Sequence, residues 1–185
     1  MKQLLITIAA LVLVGCGPSV DIHQACRGGD IEAVKQYLDA GWDVNAKNKW
    51  KSTPLHYATV GGHKEIAELL ITNDADVNAK NFAEMTPLHW AADTGQKEIA
   101  KLLIANGADV NVKNNKLATP LSVAAYVGAK GVAELLIAED ADVNAIDSED
   151  NTPLYWAIKF KKTETADLLR KHGGKTRREL RAAGN

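Results

Sequence analysis

Charge of one sign is the first thing this chain lacks. Its 22 basic and 23 acidic residues leave a formal net charge of −1, which removes the electrostatic case for nucleic acid as a partner. Cysteine is scarce, with only Cys16 and Cys26. Because Cys16 closes a stretch that reads as an amino-terminal targeting segment, Cys26 is left alone and no intrachain disulfide is expected. The apolar run from Leu4 to Val14 falls short of the ~20 residues a membrane-spanning helix needs. No convergent acid, base, nucleophile or ligand set stands out, so neither a catalytic site nor a metal site nor a cofactor is expected. Gly28-Gly29 and Gly61-Gly62 lack the Lys-Ser/Thr context of a phosphate loop and read as helix-breaking turns. Cys26 has no base or cation pattern around it and reads as a small buried side chain.

What is present is repetition. Thr53-Pro-Leu-His-Tyr-Ala returns as TPLHWA at Thr86, TPLSVA at Thr119 and TPLYWA at Thr152, at a fixed interval of 33 residues. Such spacing predicts a solenoid in which each copy buries its apolar face against its neighbours. In the second copy, Thr53 is placed to cap a helix, Pro54 suits its first turn, and Leu55 and Ala58 face inward. A break at Val60–His63 precedes a second helix near Lys64, with Ile66, Ala67, Leu69, Leu70 and Ile71 on an apolar stripe. Asp-Val-Asn follows at Asp76, and also at Asp43, Asp109 and Asp142. The copy at Asp21–Asn45 lacks the Thr-Pro opening and reads as an amino-terminal cap, with Asp21, His23, Gln24 and Gln36 supplying a polar outer face. Gly173-Gly174 closes the last copy, and the tail from Lys175 to Asn185 carries four cations and one anion. A basic helix covering the last repeat is its expected form, with a membrane-surface contact as the alternative.

Period and phrase resemble the ankyrin repeat family, from about Val20 to Gly174. The resemblance implies an all-α solenoid of L-shaped units, each an antiparallel helix pair with a short projecting β-hairpin. His56 and His89 then hydrogen-bond backbone in neighbouring loops, a role that Ser122 and Tyr155 replace in later copies. It also implies a partner lying against the concave face, formed by hairpin tips and the exposed ends of the first helices. On that surface the expected contacts are Trp50, Phe82, Met85, Tyr126 and Phe160, with Lys49, Lys116 and Glu149 at the rim. Trp50 and Phe82 are assigned the same tip position in consecutive repeats, and so could alternatively stack on each other. Tyr57, Trp90 and Trp156 are assigned to packing within the solenoid. The family commonly has glycine where this chain has Lys51, Glu84, Leu117 and Asp150, so these tips are either strained or built on another turn.

At the amino terminus, Lys2, the apolar run and Leu13-Val14-Gly15-Cys16 resemble a bacterial lipoprotein signal with its lipobox. That resemblance implies cleavage of residues 1–15, lipidation of Cys16, a tether at 16–19, the repeat domain at 20–174 and the basic tail at 175–185. Without Lys2 the mature chain would carry 21 basic against 23 acidic residues, net −2. An aspartate does not follow the cysteine, and Gly17 in its place resembles lipoproteins of the outer membrane facing the periplasm in two-membrane bacteria. The function expected is a non-catalytic protein-interaction module, tethered by lipid in a bacterial envelope. The partner expected is a protein, and the short tether implies one that is itself membrane-associated. The alternatives are an inhibitor or protective factor for an envelope enzyme, or a secreted host-directed effector. Nothing in the pattern demands more than a monomer.

Overall fold

A computed structural model describes residues 21–183, so the Leu4–Val14 run, Cys16 and the tether at 16–19 lie outside the described residues. Among the described residues there are eleven helices and no strand. Ten form pairs: α1 (Ile22–Gly28) with α2 (Ile31–Asp39), α3 (Pro54–Gly61) with α4 (Lys64–Thr72), α5 (Pro87–Thr94) with α6 (Lys97–Ala105), α7 (Pro120–Val127) with α8 (Lys130–Ala138), and α9 (Pro153–Lys159) with α10 (Thr163–Lys171). A last helix, α11 (Arg177–Ala183), stands alone. Each first helix packs on the first helix of the next pair and each second helix on the next second helix, which makes one continuous row.

The first helices start where Thr-Pro places them. Thr119 and Thr152 are extended and accept the backbone N–H of Ser122 and Tyr155 on their hydroxyls, while the proline occupies a first-turn position whose N–H has no intrahelical partner. Helices α3, α5 and α7 stop at Gly62, Gly95 and Gly128, all left-handed, while α9 ends at Phe160. At Gly62 the positive φ of 74° is what calls for glycine, since the nearest obstacle to a Cβ is the flexible end of the Gln96 side chain at 2.6 Å.

Inside the row, residues 33 apart form ladders. Leu55, Leu88, Leu121 and Leu154 are fully buried, as are Leu70, Leu103, Leu136 and Leu169. Burying such a side chain contributes roughly 1.5–3 kcal/mol, and no single repeat has enough apolar neighbours to do it alone. Cys26 belongs to another ladder with Thr59, Ala92 and Ala125, all completely buried. The next position on that ladder is Ile158, where no repeat follows and the side chain is 49% exposed.

The cap repeat departs from expectation at one residue. Asp21, Gln24 and Gln36 are exposed, but His23 is buried. Its Nε2 lies 3.0 Å from the Ala46 carbonyl oxygen and 3.1 Å from that of Ser52. It sits 33 residues before His56 and does that residue's job, so it is an inward-facing staple and not part of a polar outer face. At the other end, Gly173 is left-handed and closes α10. The basic tail then forms α11, opened by a reciprocal cap between Thr176 and Glu179. Arg170 pairs with Glu179 at 2.8 Å, Arg177 with Asp150 at 2.7 Å, and Arg181 also with Asp150. The first pair holds the tail helix to α10 and the other two hold it to the last tip.

Candidate functional site

The site is built from the junctions between repeats. In each Asp-Val-Asn, the aspartate carboxylate accepts the backbone N–H of the asparagine two residues on, as Asp76 does from Asn78 at 2.9 Å. The asparagine amide then reaches the next junction. Asn78 donates to the Gly107 carbonyl at 2.9 Å and accepts the Asp109 N–H at 2.9 Å, and Asn45, Asn111 and Asn144 repeat that pair of bonds. These groups hold the junctions in register.

His56 and His89 staple the same loops from the other side. The Thr53 backbone N–H donates to His56 Nδ1 at 3.1 Å, which leaves Nε2–H to donate to the Met85 carbonyl at 3.1 Å. His89 does the same with Thr86 and the Ala118 carbonyl. Burial lowers both imidazoles to about 4, against the opposing pull of those carbonyl bonds. Burial, with a lesser contribution from Asp21, raises the Cys26 thiol to about 12. Among the described residues no group of three or more His, Cys, Asp or Glu side chains is arranged to hold a metal ion.

The tips are tight turns, too short for a strand ladder. In the first, Asn48 Oδ1 accepts the N–H groups of Trp50 and Ser52, while Asn48 N–H donates to the Ser52 carbonyl. Asn81, Asn114 and Asp147 build the other three turns in the same way. This row recurs every 33 residues, so its period was the sequence signal for it, and it was missed beside the more conspicuous Asp-Val-Asn. Each turn places its fourth residue in the left-handed region: Lys51 at φ 57°, Glu84 at 56°, Leu117 at 56° and Asp150 at 63°. The turn is therefore the glycine-type one, and these side chains bear its strain.

The turn row also corrects the alignment of the tip aromatics. Counted from Asn48 and Asn81, Phe82 corresponds to Lys49 and Trp50 to Ala83. The two rings are neighbours only because the Phe82 N–H donates to the Trp50 carbonyl at 3.0 Å. They do not stack. Lys49 Nζ lies 5.1 Å from the Trp50 ring centre and Lys51 Nζ 4.8 Å from that of Phe82. Both rings face solvent, 57% and 60% exposed.

Five of the eight expected contact residues come together elsewhere. Met85, Lys116, Tyr126, Glu149 and Phe160 line a groove of ≈ 630 Å³ between the last three tips and helices α5, α7 and α9. Lys49, Trp50 and Phe82 are not part of it. Asp93, Val123, Trp156 and Lys159 are. Trp156, assigned to interior packing from sequence, is half-buried and lines the groove. Its Nε1–H donates to Asp147 Oδ2 at 2.7 Å, which fixes the indole plane. Phe160 stacks on it at 6.0 Å, Tyr126 meets it edge-on at 5.9 Å, and Tyr126 and Phe160 lie 4.4 Å apart. Lys159 Nζ sits 4.7 Å from the Trp156 ring centre.

The other two members of this aromatic position are half-buried as well, and neither lines the groove. Tyr57 accepts from Asn48 Nδ2 at 2.9 Å and meets His23 edge-on. Trp90 Nε1 is buried without a hydrogen-bond partner. At the place where Asp147 offers an acceptor to Trp156, Trp90 has Asn81, whose Oδ1 is already committed to its own turn.

A row of stacked helix pairs with a polar-rimmed aromatic groove, held in register by backbone staples, defines a class of helical-repeat proteins. A family model for ankyrin repeats in three copies matches residues 22–114 and 111–179. The chain belongs to the ankyrin repeat family, whose members are generally non-catalytic protein–protein interaction modules. No curated protein matches it. Among the described residues no helix is long and apolar enough to cross a membrane.

Proposed function

We propose that this chain is a non-catalytic module that holds a protein partner in the groove between its last three tips and α5, α7 and α9. The supporting observation is the cluster of Tyr126, Trp156 and Phe160. Three rings converge there, yet Tyr126 and Phe160 remain 46% and 39% exposed, so folding leaves their apolar surface unspent. Aromatic anchors of this kind carry most of the binding energy in protein interfaces. Met85 lines the groove wall, and Lys116 and Glu149 supply charge at the rim.

The module is proposed to be lipid-anchored through Cys16 in a bacterial envelope, at the outer membrane facing the periplasm where there are two membranes. What supports this is the Leu13-Val14-Gly15-Cys16 sequence after a short apolar run. From Cys16 to the first repeat only Gly17–Val20 intervene, a reach on the order of 14 Å. The partner would then lie near the bilayer.

Two measurements test these readings separately. Capture from detergent-solubilised envelopes with the native chain, beside a Tyr126→Ala/Phe160→Ala variant of equal melting temperature, should show the partner lost from the variant. Equal recovery by both refutes the groove. Mass spectrometry of the amino-terminal peptide should show an acylated Cys16 as first residue, and an unmodified or uncut terminus refutes the tether.

A further inference from the structure

The groove leaves Trp50 and Phe82 unexplained, and their surroundings differ from it in shape and charge. Trp50 stands on the first tip and Phe82 on the second, joined by the Phe82 N–H to Trp50 carbonyl bond, and the nearest tip residue that lines the groove is Ala83. Three lysines surround them, Lys47, Lys49 and Lys51, all exposed. No acidic residue occurs from Val44 to Leu55, and none of the three lysines enters an ion pair among the described residues. On the next tip Glu84 is engaged by Lys80 at 3.5 Å. The last tip carries Glu149 and Asp150 instead, and the third tip has Lys113 and Lys116 but no aromatic side chain, so lysines and exposed rings occur together without an acidic neighbour only on the first tip among the described residues.

We infer that this tip, Lys47–Lys51 with Phe82, docks on an anionic lipid surface. A projecting knob cannot enclose a side chain but can enter a planar interface. Tryptophan and phenylalanine are suited to the headgroup boundary, and lysine stems lie along apolar surface while their ammonium groups remain in the polar layer. The 4.8 and 5.1 Å lysine-to-ring distances already hold ammonium and ring together as that layer requires. Each lysine near an anionic membrane is worth about a five-fold factor in the docked-to-undocked ratio. The tip also lies at the correct end of the array. His23, in the first turn of α1, is hydrogen-bonded to the carbonyls of Ala46 and Ser52 at the base of this tip. The patch stands without the proposed lipid on Cys16, although a tether there would favour the same orientation.

The test uses the full chain in nanodiscs containing brominated lipid, with either phosphatidylglycerol or phosphatidylcholine alone as the remainder. Tryptophan quenching is measured for the native chain and for Trp50→Phe, and their difference isolates Trp50 from Trp42, Trp90 and Trp156. The expected result is Trp50-dependent quenching in the phosphatidylglycerol discs that falls steeply in a Lys47→Gln/Lys49→Gln/Lys51→Gln variant of unchanged melting temperature. Absence of Trp50 quenching in those discs overturns the inference. Equal quenching in phosphatidylcholine removes the anionic recognition, and crosslinking of residue 50 to an acidic protein with no quenching reassigns the tip to protein binding.

Discussion

Lowering the pH from about 7 to about 5 should cost this fold about 2 kcal/mol at each of His56 and His89. Each imidazole is 1% exposed or less, spends Nδ1 on a backbone N–H and Nε2–H on a carbonyl one repeat away, and is lowered to about 4 from an ordinary 6.5. A second proton has only Nδ1 to occupy, where it would face the N–H of Thr53 or Thr86. The unfolded chain therefore binds more protons than the folded one between those two values. The stabilising contribution is complete above pH 6.5 and is lost as the pH falls toward 4. The assay is urea unfolding by circular dichroism at both pH values, for the native chain and for His56→Ser/His89→Ser, which borrows the residue the chain itself uses at Ser122. The double variant should be weaker at pH 7, having lost two buried staples, but its further loss on acidification should be smaller by about 4 kcal/mol. An identical acid loss in both proteins would refute the reasoning, because other groups would then carry the whole pH dependence.

Other substitutions test individual parts of the junctions. Leu117→Gly should raise stability by about 0.5–1 kcal/mol, because Leu117 holds a left-handed backbone at φ 56° with its side chain 48% exposed. Leu117→Ala should give no such gain in thermal melts, and a drop with glycine would show the turn is unstrained. Asn81→Asp should stabilise by roughly 1–2 kcal/mol by giving the buried Trp90 Nε1–H the acceptor that Asp147 gives Trp156. An unchanged melting temperature would mean that water already satisfies that indole. Cys26 should react with a disulfide reagent near neutral pH only at the rate of local unfolding, since burial holds its thiol near 12. Rapid modification in native buffer would contradict its position in the core ladder.

The 33-residue interval determined the solenoid, because the hydrophobic pattern of a short helix and its Thr-Pro start are local properties of the chain. Leu55, Leu88, Leu121 and Leu154 could be placed in one buried ladder from spacing alone, and His56 and His89 in the loops through the family resemblance. Cys26 could likewise be read as a core residue by its alignment with Thr59, Ala92 and Ala125. The surface proposed for binding was legible only in part. Met85, Tyr126 and Phe160 were placed correctly at tips and helix ends, but that they converge in one groove while Trp50 and Phe82 stand apart depends on contacts between repeats. Trp156 lines that groove with its indole hydrogen-bonded to Asp147, nine residues earlier. Trp90, at the same phase of the repeat, has no such acceptor. His23 is drawn inward by carbonyls 23 and 29 residues downstream. The one-residue shift between Trp50 and Phe82 is set by the turn that Asn48 and Asn81 each close. A linear pattern specifies which face of a helix is buried; the direction of a tip side chain is set by hydrogen-bond partners from another repeat, which exist only after the copies have stacked.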